Sequence, residues 1–184
     1  MADRSGVSPL VPSDEGDEKG LALGKAQGDA LSRTLEHMIG DVAHDGREIR
    51  SGEYLVAYAV EKAEGMYVPR DGKLEWSEPG EANAHVEVAV RDAADGRLIP
   101  GLEVRATLIG PDGADLGTQR LPLLWHPYLY HYGANWKVPG SGRYGMRVSF
   151  GAPTFSRHDK KNGHRFLEGA EVTFDDVAIA AGQD

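Results

Sequence analysis

The chain has 184 residues with 20 Lys and Arg against 29 Asp and Glu, a net charge of −9, and no cysteine. The acidic balance excludes nucleic acid and anionic membrane surfaces as partners, because both repel a chain of this sign. The missing thiols exclude disulfides, thiolate metal sites and cysteine nucleophiles, so any metal must be held by His, carboxylate, Met or Tyr.

Residues 1–20, rich in Ser, Pro, Asp, Glu and Gly, predict a disordered or loosely docked tail. The tail has no apolar stretch of signal-peptide length, so the sequence as written implies the cytoplasm, or a periplasmic or extracellular site if a leader precedes it. No apolar run approaches the ~20 residues of a membrane helix, so membrane insertion is not expected. Residues 25–43 predict a helix: Ala30, Thr34, Leu35, Met38, Ile39 and Val42 recur at helical spacing, with Asp29 as a candidate cap and Gly40 weakening the end. From Glu53 the period changes to two. Tyr54, Val56, Tyr58 and Val60 predict a strand. Residues 64–83 carry turn signals and predict a long loop or irregular hairpin.

Strict alternation returns in His85-Val86-Glu87-Val88-Ala89-Val90, then in Leu102–Leu108, and further strands are expected over 117–124, 140–150 and 170–179. Short strands separated by Gly, Pro and Asp turns predict an all-β chain, an immunoglobulin-like β-sandwich with an N-terminal helical extension. The division expected is a tail and helix over 1–50 and the sandwich over 51–184.

The stretch Leu121 to Trp136 holds two histidines, three tyrosines and two tryptophans. Pro127 opposes a continuous helix, so the segment is expected to be a folded loop aiming His126 and His131 into one pocket, with His158 a third imidazole. Tyr130 and Tyr132 are candidates to hydrogen-bond these rings. The plainer reading is an aromatic loop closing one end of the sandwich. His85 and Glu87 stand two apart on a strand and share a face, half of a coordination shell for copper or iron, or else an ordinary polar face. Asp159 is a candidate to orient His158, and Met66 is a possible thioether ligand, although a gap-filling methionine is the commoner case.

His131-Tyr132-Gly133-Ala134-Asn135, followed downstream by Arg157-His158-Asp159-Lys160 and Gly163, resembles the bacterial iron-transport-associated family over roughly Glu53 to Ile179. These are small periplasmic proteins that accompany iron permeases and bind copper and iron. The resemblance implies an immunoglobulin-like sandwich, usually a homodimer, with a metal site of histidines, a glutamate and a methionine. It makes His131 and His158 ligands. The methionine position falls on Leu124, which cannot ligate, and His126 is the substitute. The family's His-x-Glu lies on the first strand, where this chain has Leu55-Val56-Ala57; His85-x-Glu87 has the same residue types on the next strand.

The function expected is therefore non-enzymatic binding of a copper or iron ion through His126, His131 and His158, with His85 and Glu87 as further ligands, for uptake, delivery or storage. The expected partners are a second copy and an iron permease or other metal-trafficking protein. Binding should fail below about pH 6, where imidazole protonates. The alternatives are a metal-dependent oxidoreductase and an immunoglobulin-like module that binds a protein.

Overall fold

A computed structural model describes residues 9–184. Helix α1 spans Glu18–His37, and its last turn opens into a π-helical turn over Met38–Val42. It starts earlier than the apolar stripe suggests, because Asp17 rather than Asp29 is the cap, its side chain accepting from the Gly20 amide. The strands are β1 Asp45–Ser51, β2 Tyr54–Glu61, β3 Met66–Arg70, β4 Lys73–Ser77, β5 Ala84–Asp92, β6 Val104–Ile109, β7 Asp115–Leu121, β8 Leu123–His126, β9 Leu129–Trp136, β10 Gly142–Phe150 and β11 Ala170–Ile179.

They form a five-stranded sheet in the order β1-β2-β5-β9-β8 and a four-stranded sheet in the order β11-β10-β6-β7, with β3-β4 a separate hairpin. The two larger sheets face each other as an immunoglobulin-like sandwich. One side of each strand fills the space between them: Val56, Tyr58 and Val60 of β2, Val86, Val88 and Val90 of β5 and Tyr132 and Trp136 of β9 meet Leu108, Met146, Val148 and Phe174 of the other sheet. Period-two alternation is sufficient to build this core, since each strand turns every second side chain to the same face.

The other face of the five-stranded sheet is covered as well. Leu35 and Met38 lie buried against Ala57, Ala59, Ala89 and Leu129, with Leu31 and Ile39 packed at the margin. The alanines let the helix come close, and two glycines extend that closeness. A Cβ on Gly28 would stand 1.8 Å from the Asp95 carbonyl oxygen, and one on Gly46 would meet Ile39 and the Tyr58 carbonyl.

Three sequence expectations change, and the tail is seen in part. β1 lies before the expected boundary at 51 and is an edge strand of the sheet. Residues 64–83 contain a regular hairpin, its turn made by Asp71 and Gly72, both at positive φ. Leu121 to Trp136 is not a loop but mostly the hairpin β8-β9: Pro127 sits in the two-residue turn where His126 pairs with Leu129. Of the tail, residues 1–8 lie outside the described residues. The part that follows docks on the Arg157–Gly163 loop, where Val11 exchanges backbone bonds with the Asn162 side chain and Ser13 donates to Asp159.

Candidate metal centre

The registers of three strands decide which polar side chains meet. In the pairing of β5 with β9, His85 stands opposite Asn135 and Glu87 opposite Gly133. In the pairing of β8 with β9, Leu124 stands opposite His131 and His126 opposite Leu129. All of these positions have the parity opposite to the core set, so they share the outer face under α1. His85, Glu87 and His131 are the three buried polar residues of that face that converge. One ligand atom from each lies within 4.8 Å of the other two. Glu87 Oε1 is 3.2 Å from His131 Nε2 and 3.8 Å from His85 Nε2. Ligands at ~2.0–2.2 Å from a metal stand up to ~4.4 Å apart, so a small inward shift would let all three share one ion.

The remaining geometry prepares the lone pairs. His85 Nδ1 bonds Asn135 Oδ1 at 2.9 Å, which makes Nδ1 the protonated nitrogen and leaves Nε2 free toward Glu87. Asn135 is itself held: its Nδ2 donates to the Glu64 carbonyl and its Oδ1 accepts from the Glu64 amide. Both ring nitrogens of His131 are buried without a hydrogen-bond partner, as is His126 Nδ1. An unpaired buried polar atom costs about 1–3 kcal/mol, a cost that a bound cation would offset. His126 lies beside the trio, its ring centroid 6.3 Å from that of His131 and 4.3 Å from Tyr128.

Electrostatics point the same way. Burial lowers His85, and it lowers His131 to about 3, with the charges of His85 and His126 adding to the effect. Burial raises Glu87 to about 8, helped by the charges of Glu61 and Glu64, and Glu61 itself is raised to about 7 by burial and by Glu64. At neutral pH His85 and His131 are thus unprotonated, and the ionisation of Glu87 and Glu61 is suppressed. A cation would favour ionisation of those carboxyls.

Gly133 holds the site open. A Cβ there would lie 3.0 Å from His85 Nε2, 3.0 Å from Leu124 Cδ1 and 3.1 Å from His131 Cδ2. Gly133→Ala is therefore expected to push the two rings apart, lowering metal affinity about tenfold and costing about 1–3 kcal/mol of stability. Metal titration and thermal unfolding check this; unaltered affinity would show that the rings have slack.

The other candidates are placed elsewhere. His158 is 91% exposed in its side chain and pairs with Glu15 at 3.0 Å, outside the cluster of its own chain. Asp159 accepts from Ser13, Asn162 and the Lys161 amide rather than from His158. Tyr132 turns into the sandwich core, donating to the Ile99 carbonyl and accepting from the Leu102 amide, and Tyr130 is exposed, so neither tyrosine holds a histidine of the cluster. Met66 lies on the β3-β4 hairpin, paired with Ser77. Sequence reasoning missed the roles of Asn135 and Gly133; their place in the His-Tyr-Gly-Ala-Asn segment was the available signal.

Comparison with known proteins agrees with this architecture. A family model described as Fe2+ transport protein matches residues 34–179, a span that begins within α1, earlier than the resemblance read from the motifs. FetP of uropathogenic Escherichia coli strain F11 superposes with a TM-score of 0.59 at 20% identity over 74% of this chain and 94% of its own. Copper-reconstituted P19 of Campylobacter jejuni superposes with a TM-score of 0.62 at 20% identity over 76% and 96%. No curated protein sequence matches the chain. The fold is thus shared with these proteins, and the extent of the family match shows that the chain belongs to the Fe2+ transport protein family.

Proposed function

We propose that the protein captures a copper or iron ion at His85, Glu87 and His131 and passes it on, as a binding protein rather than an enzyme. The observation that carries this reading is the convergence of two imidazole nitrogens and one carboxylate oxygen in a buried place, with both nitrogens of His131 lacking any other partner. Two nitrogens and one oxygen suit Cu(II) and Fe(II) equally, which fits a family described by Fe2+ transport and a relative, P19, that was reconstituted with copper. His126, its ring centroid 6.3 Å from that of His131, would join as a third imidazole.

His158 enters this proposal through a second copy of the chain. Leu123, Trp125 and Tyr130 are exposed on the β8-β9 hairpin at the sheet edge beside the cluster, and an apolar edge of this kind suits a homodimer contact. A permease or other trafficking protein would receive the ion. The exposed His158–Glu15 pair is accessible to such a partner.

Two observations favour this over the alternatives. The cavity beside Glu87 and His131 measures about 10 Å³, the room of a single water, which disfavours an oxidoreductase with an organic substrate. The burial and convergence of His85 and His131 disfavour a module that uses this segment only to bind a protein. The test is elemental analysis of the purified protein beside His131→Ala and His85→Ala. Metal near one equivalent in the parent and its loss in both variants is expected; equal content in all three would sink the site.

A further inference from the structure

We infer that Met38, in the π-helical turn that ends α1, supplies a thioether ligand to the same ion and makes the site a Cu(I) site. This deepens the metal-capture reading and rests on it. Three observations converge. First, Met38 is buried to 1% exposure and lines the small cavity that Glu87 and His131 also line, so the helix end and the sheet share that cavity. Second, the Met38 sulfur faces a polar neighbour as well as the apolar packing: Tyr128 Oη donates to Sδ at 3.8 Å, and the Tyr128 ring stands edge-on to His126 at 4.3 Å. The sulfur therefore contacts the tyrosine that packs against the additional imidazole. Third, the backbone is built to hold it there. The Ala43 amide donates to the Met38 carbonyl, the long bond that defines the π-turn, and the bare Cα of Gly46 lets Ile39 and the turn settle onto the sheet.

The donor chemistry gives the metal. The chain has no cysteine, so methionine is its only soft ligand. Leu124, directly opposite His131 on β8, presents only hydrocarbon to the site. Among the described methionines, Met146 lies in the sandwich core and Met66 on the β3-β4 hairpin, which leaves Met38 at the cavity. A neutral thioether beside two imidazoles stabilises Cu(I) and does little for Co(II) or Zn(II), which draw on the imidazoles and carboxylate.

The experiment uses the full chain and two probes. Cu(I), held by a chromophoric chelator under anaerobic conditions, is titrated against the parent and against Met38→Leu, and Co(II) is titrated in parallel. The expected result is a tenfold or greater loss of Cu(I) affinity in Met38→Leu with Co(II) affinity within threefold of the parent, which also shows that the variant is folded. X-ray absorption of the Cu(I)-loaded parent should show a sulfur scatterer, a readout that needs no variant. Nitrogen and oxygen scatterers alone, or equal Cu(I) affinity in parent and variant, would overturn the role of Met38 while leaving the histidine-glutamate site standing. A parent that binds neither probe would overturn both.

Discussion

Glu87→Gln is expected to weaken copper or iron binding by about 100-fold or more and, at the same time, to stabilise the metal-free protein at alkaline pH. The two effects have one cause. Glu87 is 4% exposed and has no cation beside it, so its charged form is penalised and its pKa rises from 4.5 to about 8. With the folded pKa above the unfolded one, the folded state keeps a proton that the unfolded chain releases. The resulting stability is fully present below 4.5 and is lost as pH rises through 8. Gln cannot ionise, so the variant escapes that loss. At pH 8.5 the gain should be on the order of 2–4 kcal/mol, and at pH 4.5 close to nil. Urea unfolding at both pH values, beside a metal titration, reads both effects. A variant no more stable at pH 8.5 would mean that Glu87 is not desolvated; one that binds metal normally would mean that it is not a ligand.

Metal binding is expected to release about one proton at pH 7 and almost none at pH 9, with affinity rising about tenfold per pH unit in between until Glu87 ionises near 8. This differs from the sequence expectation that histidine protonation sets the limit near pH 6. In the folded protein His131 is held down at about 3, first by burial and then by repulsion from His85 and His126, so it is already neutral where binding starts to fail. The carboxylate competes for protons instead. His131 leaves a different signature: its folded pKa is depressed, so the stability it contributes is present above the unfolded value of 6.5 and is lost as pH falls toward 3. Calorimetric titration in buffers of different ionisation enthalpy counts the protons. No release at pH 7 would show that Glu87 is ionised before the metal arrives.

The same two groups make such a site costly in the metal-free protein. Each opposes stability on one side of neutrality, and neither is paired well enough to compensate for its burial. Binding that relieves both should appear as a rise in thermal stability with metal concentration.

Much of the architecture was legible from local pattern. Alternation in Tyr54–Val60, His85–Val90 and Leu102–Leu108 specified strands and their core faces, because side-chain parity along a strand is a local property. The same parity put His85 and Glu87 together. The His-Tyr-Gly-Ala-Asn segment singled out His131. What parity cannot give is register, since the neighbour of a side chain on the next strand depends on how two distant segments align. The opposition of Glu87 to Gly133 and of His85 to Asn135 is a product of that alignment. It brought His85 and Glu87 to His131, while alternation along β9 turned Tyr132 away from His131 into the core.

The stretch from Leu121 to Trp136 shows the division most clearly. Its composition was sufficient to mark it as the place where imidazoles would act, and Pro127 was sufficient to mark a break. The tertiary structure decided that the break is a hairpin turn, that His126 stands beside the trio and His158 outside it, and that an N-terminal helix closes over the outer face with Met38 at the cavity. Those outcomes depend on packing between segments far apart in sequence, where alanines and glycines on one element admit side chains from another. The sequence by itself determined the residue types of the candidate site and the strand that carries His85 and Glu87; only the tertiary structure decided that His131 also stands on a strand and which of these residues share one point in space.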